Sequence, residues 1–194
     1  MISRVCVNCG SNSGADPAFM AAARDLGECL ASREITLVYG GSNVGIMGAV
    51  ANATLEGGGN AVGVIPESLF QKVGHQDLTE QYVVSSMHER KQKMFDLSDA
   101  YIILPGGYGT FEEMFEILTW AQLGMHLKPV GILNVAGYYD ALLTFLDSAV
   151  HNRFVSEVHR NMLLVDSSPG LLLDRLEQYE PVVSDKWLDR REET

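Results

Sequence analysis

The chain is short of cysteine, of basic charge and of long apolar runs, and each shortage removes a class of function. Only three of its 194 residues are cysteine, namely Cys6, Cys9 and Cys29. An odd number at that spacing makes no disulfide framework. Cys6-x-x-Cys9 has no second CxxC and no HxxxH to complete a metal or redox centre, and Cys6 falls in an apolar strand, so buried, inert thiols are expected. Met1-Ile2-Ser3-Arg4 leads straight into that strand without a secretory leader pattern, which makes a reduced, cytoplasmic setting the expectation. Fourteen Lys and Arg against 25 Asp and Glu give a net charge of −11. Such a field opposes polyphosphate, so no nucleic acid partner is expected, although one small phosphorylated ligand needs only a local cluster of donors. No apolar run approaches the ~20 residues that cross a bilayer, so no membrane partner is expected either.

Several chemical signatures are missing too. The five histidines make no HExxH or other compact ligand spacing, and no metal is expected. There is no GxSxG elbow. Gly41-x3-Gly45-x2-Gly48 lacks the dinucleotide-binding spacing, and Gly40-x4-Gly45 runs into Ile46 rather than Lys-Ser/Thr, so neither a dinucleotide cofactor nor a P-loop ATPase is supported. No cofactor is expected. No repeat and no Pro/Gly/Ser linker divides residues 1–194, which are read as one domain with a polar tail, expected to fray, from about residue 185. Trp120, Trp187 and the Met114/Phe115/Leu118 stripe are read as core or subunit interface.

What is present is a regular alternation. Short runs rich in β-branched residues at 4–8, 36–39, 61–65, 81–85, 101–104, 130–133 and 163–165 alternate with helix-periodic segments at 17–32, 46–56, 88–97, 111–123, 138–152 and 170–179. That order predicts βαβ units, hence a Rossmann-like, doubly wound α/β fold with a mainly parallel sheet of about seven strands between two helix layers. Ile102-Ile103-Leu104 and residues 62–65 are too apolar for a sheet with one wet face. Residues 66–79 lack clear periodicity, and a loop of that length is often functional or hides a short helix.

Three predicted strands end in glycine. The first leads to Gly10-Ser11-Asn12-Ser13-Gly14, the second to Gly40-Gly41-Ser42-Asn43-Val44-Gly45, and the fifth to Pro105-Gly106-Gly107-Tyr108-Gly109-Thr110. Each precedes a helix, so three loops and three helix N-termini are expected at one sheet edge, an outline of an anion site. In Met87-His88-Glu89-Arg90-Lys91-Gln92-Lys93-Met94, helical spacing puts Met87, Arg90 and Met94 on one stripe, while Glu89 is best placed for Lys93. No local carboxylate serves Arg90, so it faces either a distant acid or, with Lys91, an anionic ligand. Thr110-x-x-Glu113 has the spacing of a capping box. Its place beside a glycine turn at a buried strand end equally suits a carboxylate that handles positive charge or a water.

Pro105-Gly106-Gly107-Tyr108-Gly109-Thr110-Phe111-Glu112-Glu113 resembles the PGGxGTxxE motif of the LOG ("Lonely Guy") family of cytokinin riboside 5′-monophosphate phosphoribohydrolases, and Met87-His88-Glu89-Arg90-Lys91 resembles its MHxRK motif. Cys9-Gly10-Ser11-Asn12-Ser13-Gly14, Tyr39-Gly40-Gly41, Gly63-Val64-Ile65-Pro66 and Thr119-Trp120-Ala121-Gln122-Leu123-Gly124 are similar to further family segments. The resemblance implies a Rossmann-like, usually dimeric subunit that splits a nucleoside 5′-monophosphate, AMP or an N6-modified AMP, into free base and ribose 5-phosphate. It implies catalytic roles for Arg90 and Glu113. It also implies substrate contacts at Ser11, Gly41, Met87, Lys91, Gly107, Tyr108, Gly109, Thr110, Phe111, Glu112 and Thr119. The family is often labelled a lysine decarboxylase, but no Lys stands in a recognisable Schiff-base context for pyridoxal phosphate. A non-catalytic nucleotide-binding or carrier protein of the same fold is the competing reading, and a structural oligomer the plainest one.

Overall fold

A computed structural model of the protein describes residues 1–181. The expected polar tail and Trp187 lie outside them. β1 (Arg4–Asn8), β2 (Thr36–Tyr39), β3 (Ala61–Pro66), β4 (Glu80–Val84), β5 (Ala100–Ile103), β6 (Val130–Leu133) and β7 (Leu163–Asp166) form one sheet in the order β4-β3-β2-β1-β5-β6-β7. Every neighbouring pair is parallel. The connections carry α1 (Pro17–Ser32), α2 (Gly45–Glu56), α3 (Glu67–Val73), α4 (Met87–Leu97), α5 (Tyr108–Gln122), α6 (Asp140–His151) and α7 (Glu157–Arg160), and α8 (Pro169–Glu177) follows β7.

A parallel sheet buries both faces because its crossover helices lie on both. Alternate residues of each strand accordingly serve two cores. Val5 and Val7 of β1, with Leu37, Tyr39 and Ile102, pack beneath Leu26 and Leu30 of α1, Val50 of α2 and Leu172 of α8. Cys6, Val38, Tyr101, Ile103 and Ile132 face the other layer, where Met94 of α4 and Met114 and Ile117 of α5 cover them. Burial pushes the Cys6 and Cys9 thiols well up, with the Glu113 carboxylate adding to the effect, so both stay protonated. In the first layer α1 and α2 cross closely at Gly27, where a Cβ would come within 2.6 Å of the Val50 carbonyl and 2.7 Å of the Ala53 Cβ.

The predicted strands coincide with the observed ones to within a residue, but the helices differ in three places. α5 starts three residues before the expected position, because Gly107 leaves the strand in an extended conformation and Tyr108-Gly109-Thr110 already form the first helical turn. Residues 66–79 contain α3, which buries no residue and so shows no apolar stripe in the sequence. The helix expected over 138–152 is α6, which starts two residues later than expected, behind a single 3-10 turn at Val135–Gly137. α7 carries no signal that the periodicity could have shown.

Strand order fixes where a ligand can bind. The chain lays down β1 to β4 in one direction and then returns past β1 to build β5 to β7, so order reverses between β1 and β5. Loops leaving the carboxyl ends of adjacent strands diverge there and open a crevice. The glycine loops after β2, β1 and β5 are thus neighbours along one edge.

His126 pins the far end of α5 to the start of β6. Its Nε2 donates to the Ile117 carbonyl at 2.9 Å and its Nδ1 accepts from the Lys128 amide at 3.1 Å, a pattern that requires the neutral ring. Burial holds its pKa below the ordinary imidazole value. Between that lowered value and about 6.5 the unfolded chain binds the proton and the native one does not, so stability falls as pH falls below about 6.5. Urea unfolding midpoints should drop between pH 7.5 and pH 5.5, and His126→Gln should flatten that slope; an unchanged slope would remove His126 from the explanation.

Candidate active site

The crevice has a volume of about 830 Å³, within the range of small-molecule sites, and all three glycine loops line it. The loops are tied to one another. The Gly10 amide donates to the Pro105 carbonyl at 3.0 Å, joining the β1 loop to the β5 loop. From α6's side, the Tyr138 hydroxyl donates to the Gly106 carbonyl at 2.6 Å and the Tyr139 hydroxyl to the Leu104 carbonyl at 2.8 Å. Beneath the turn sits the Thr110 side chain, so close to Gly106 that any Cβ there would overlap its hydroxyl.

Helix N-termini at this edge are not equivalent. Asp16 caps α1 by accepting from the Ala18 amide at 2.9 Å. Ser86 caps α4 by accepting from the Glu89 amide at 3.1 Å, and the Glu89 carboxylate turns back to the Ser85 amide at 2.8 Å and hydroxyl at 2.7 Å. The expected Glu89–Lys93 pair is therefore absent, since the cap has taken the carboxylate, and Lys93 lies over the Tyr82 ring at 4.3 Å. α2 lacks a side-chain cap, but the β1 loop packs on its first turn, where the Met47 amide donates to the Gly10 carbonyl at 3.3 Å. α5 also has no side-chain cap. The Tyr108, Gly109 and Thr110 amides of its first turn have no intrahelical acceptor, and these three residues line the crevice. This end presents both free donors and the positive pole of the helix dipole to an anion.

The capping-box alternative for Glu113 does not hold. With Gly107 as N-cap, Thr110 is the third helical residue and Glu113 lies a turn further in, beyond reach of the cap amides. Glu113 instead pairs with Arg90, Nη1 to Oε1 at 2.5 Å, and the two side chains are only 7% and 11% exposed. Arg90 is fixed on its other edges as well. Its Nε donates to the Val64 carbonyl at 3.1 Å, and its Nη2 lies against Gly40, where a Cβ would collide with it. The distant acid that Arg90 needed is thus the second residue singled out from the sequence, and both line the crevice.

Of the other expected contact residues, Ser11, Met87, Gly107, Tyr108, Gly109 and Thr110 line the crevice. Tyr108 is 93% exposed at its mouth. Five others do not line it. Gly41 sits just behind the lining Gly40, with φ of 73°, and its carbonyl accepts from the His75 amide at 2.9 Å. Lys91 bonds Glu112 at 2.5 Å and Glu116 at 2.9 Å, joining α4 to α5 outside the crevice. Burial opposes its charge, but the two carboxylates outweigh this and hold its pKa above the ordinary value. Phe111 packs against the second core and stacks edge-on to Tyr139 at 6.3 Å. Thr119 is exposed and donates to the Phe115 carbonyl at 2.6 Å.

No motif or spacing marks the apolar wall. Phe19 of α1, Met47 of α2, Leu69 and Val73 of α3, and Tyr138 line the crevice. The unperiodic length of 66–79 was the one available signal for α3. Backbone bonds place it there: the Asn43 amide donates to the Val73 carbonyl at 2.9 Å, and Ser42 and Gly74 form an isolated bridge. Among the described residues no group of three or more His, Cys, Asp or Glu is arranged to hold a metal ion, and no helix is long and apolar enough to cross a membrane.

Removing one member of a buried ion pair leaves the other charged and unpaired. Arg90→Ala should therefore lower unfolding free energy by about 3–5 kcal/mol, and Glu113→Ala added to it should recover part of that loss. Denaturant titration of Arg90→Ala, Glu113→Ala and the double variant checks this; a double loss equal to the sum of the single losses would mean that the pair is not coupled.

The family model described as "Possible lysine decarboxylase" matches residues 47–176. The cytokinin riboside 5′-monophosphate phosphoribohydrolase LOG7 of Arabidopsis thaliana is 49% identical over 179 residues, covering 92% of this chain and 82% of that protein. LOG2 of the same plant, which carries the same enzyme name, is 48% identical over 179 residues, covering 92% and 84%. Among solved structures, the molybdenum cofactor binding protein from Rippkaea orientalis matches with a TM-score of 0.70 at 22% identity, covering 92% of this chain and 97% of that one, a likeness of fold alone. Relatedness at half identity over nearly the whole described chain, with Arg90 and Glu113 of the two motifs paired in one crevice, means that the chain belongs to the LOG family.

Proposed function

We propose that the protein is a phosphoribohydrolase that cleaves the N-glycosidic bond of adenine or cytokinin nucleoside 5′-monophosphates to free base and ribose 5-phosphate. The observation that carries this reading is the spacing on α5: an uncapped, anion-binding N-terminus and, one turn deeper, a carboxylate held by Arg90. Three residues of helix from Thr110 to Glu113 rise about 4.5 Å, comparable to the distance a ribose sets between its 5′-phosphate and its anomeric carbon.

The chemistry follows from that placement. With the phosphate on the Tyr108, Gly109 and Thr110 amides, the anomeric carbon comes to Glu113. As the C1′–N bond breaks, its electron pair leaves with the base and positive charge develops on the sugar. A carboxylate stabilises that charge and takes a proton from the water that bonds to C1′. The base leaves with one proton gained from solvent, and Glu113 returns to solvent the proton it took, so that water is consumed and charge balances. Arg90 holds Glu113 in one orientation, so little is lost in arranging it at the moment of reaction. Phosphate binding energy then favours nucleotides over nucleosides. Ser11, Met87 and the glycine turn complete the contacts to substrate.

Pyridoxal chemistry does not fit these residues. That cofactor is held on a lysine, whereas among the described residues no lysine lines the crevice and Lys91 is engaged by two carboxylates. A reduced cytoplasmic location agrees with three unpaired cysteines.

Purified protein incubated with AMP, isopentenyladenosine monophosphate and their nucleosides should release free base from the nucleotides, and much more slowly from the nucleosides, as read by chromatography. Glu113→Gln should stay folded and lose about a hundredfold or more in turnover. Binding of AMP without any release of adenine would favour a carrier instead, and equal rates on nucleosides would refute the phosphate site.

We further propose a homodimer. Phe115 of α5 and Leu123, Met125 and Leu127 after it expose large apolar side chains close together in sequence, as a subunit interface would. Light scattering at micromolar concentration should give twice the chain mass, and Met125→Asp/Leu127→Asp should shift it toward one; a wild-type monomer would dispose of the assignment.

A further inference from the structure

Glu113 has a second side. Between β1, β5, α4 and α5 lies a small cavity of about 10 Å³, lined in part by Cys6, Asn8, Lys91, Tyr101 and Glu116, and Glu113 is the residue that lines both it and the crevice. A cavity of that size admits about one water molecule, which needs two to four polar partners to be held.

The partners are there. Tyr101 is only 2% exposed, and its hydroxyl finds no hydrogen-bond partner among the described residues. A buried hydroxyl left in that state is unfavourable, and Phe would fill the same apolar space without it. Burial raises the phenol's pKa, and the Cys6 and Glu116 groups, both walls of the cavity, raise it further. Tyr101 therefore remains a neutral O–H donor, and its side chain is one wall of the cavity. Asn8 contributes an amide whose Oδ1 accepts from the Cys6 thiol at 3.2 Å. Arg90 occupies Oε1 of Glu113, which leaves Oε2 for a second donor.

We propose that this cavity is a built site for one water, anchored by the Tyr101 hydroxyl and hydrogen-bonded to Glu113 from behind, which makes Tyr101 a positioning residue for the reaction. The water site stands on the cavity and the orphaned hydroxyl alone, while the positioning role rests on the reading of Glu113 given above. Held by Arg90 on one oxygen and by the water on the other, the carboxylate loses the freedom to rotate away from the anomeric carbon. Tyr101 touches no substrate and acts through the water.

The test is Tyr101→Phe in the full chain, with crystal structures of it and of the wild type at a resolution that shows ordered water. The wild type should hold a water within hydrogen-bond distance of both Tyr101 Oη and Glu113, and the variant should lack it. The variant should keep or raise its melting temperature, keep KM for the nucleotide within about twofold, and lose roughly three- to tenfold in kcat. A dry wild-type cavity would overturn the water site. Wild-type kcat in the variant, or a loss confined to KM, would overturn the positioning role. If the wild type releases no base from any nucleotide, the catalytic reading and the positioning role fall together, and the crystal structures still decide the water site.

Discussion

The buried ion pair between Arg90 and Glu113 is the constraint around which the site is arranged. Two charges this far out of water are tolerated only when each is matched and their remaining hydrogen-bonding groups are satisfied. Meeting that demand draws in much of the sheet edge. Val64 of β3 offers a carbonyl to the guanidinium, Gly40 after β2 must be bare to let it approach, and α5 must begin early enough to bring Glu113 into reach. Lys91 and its two carboxylates repeat the link between α4 and α5 on a more exposed side. One helix carries two adjacent cations and the next carries three acids at matching intervals, so the two lock in one register.

The same arrangement keeps two opposite electrostatic demands apart. Phosphate binding needs positive potential, whereas stabilising a cationic sugar needs negative potential. In the proposed reaction a single helix provides both, because its dipole acts chiefly at its first turn, where the amides are free, while the carboxylate enters one turn later. Side chains cap α1 and α4, and the β1 loop packs on α2. Of the helices that follow the three glycine loops, α5 is left as the end with donors to spare.

Much of this was legible in the sequence because it rests on local rules. Alternating apolar runs and helical periods specify the doubly wound sheet, and glycine at the ends of three strands marks the edge where the site forms. The capping box shows where local rules stop. Ser86-x-x-Glu89 and Thr110-x-x-Glu113 share the same spacing, yet the first caps its helix and the second does not. What separates them is Gly107, which lets α5 start before Thr110, and a buried arginine that claims Glu113 from another helix. Neither is a property of the four residues concerned. Lys91 is similar, since its partners on α5 become neighbours only once the sheet order is set. α3 was legible only as a short helix that an unperiodic stretch could hide, for the opposite reason: a helix that buries no residue leaves little pattern to read.

That lack of burial has a consequence of its own. Leu69 and Val73 form part of the crevice wall, but the helix that bears them contributes no side chain to either core and is fastened through main-chain atoms around Ser42, Asn43 and Gly74. Main-chain fastening is indifferent to side-chain identity. The wall can therefore be rewritten by mutation without opening a void in the fold, whereas a change at Arg90 or Glu113 disturbs both stability and chemistry. Variation among descendants of this scaffold should gather on α3, where a new ligand shape can be tried at small risk to the rest of the molecule.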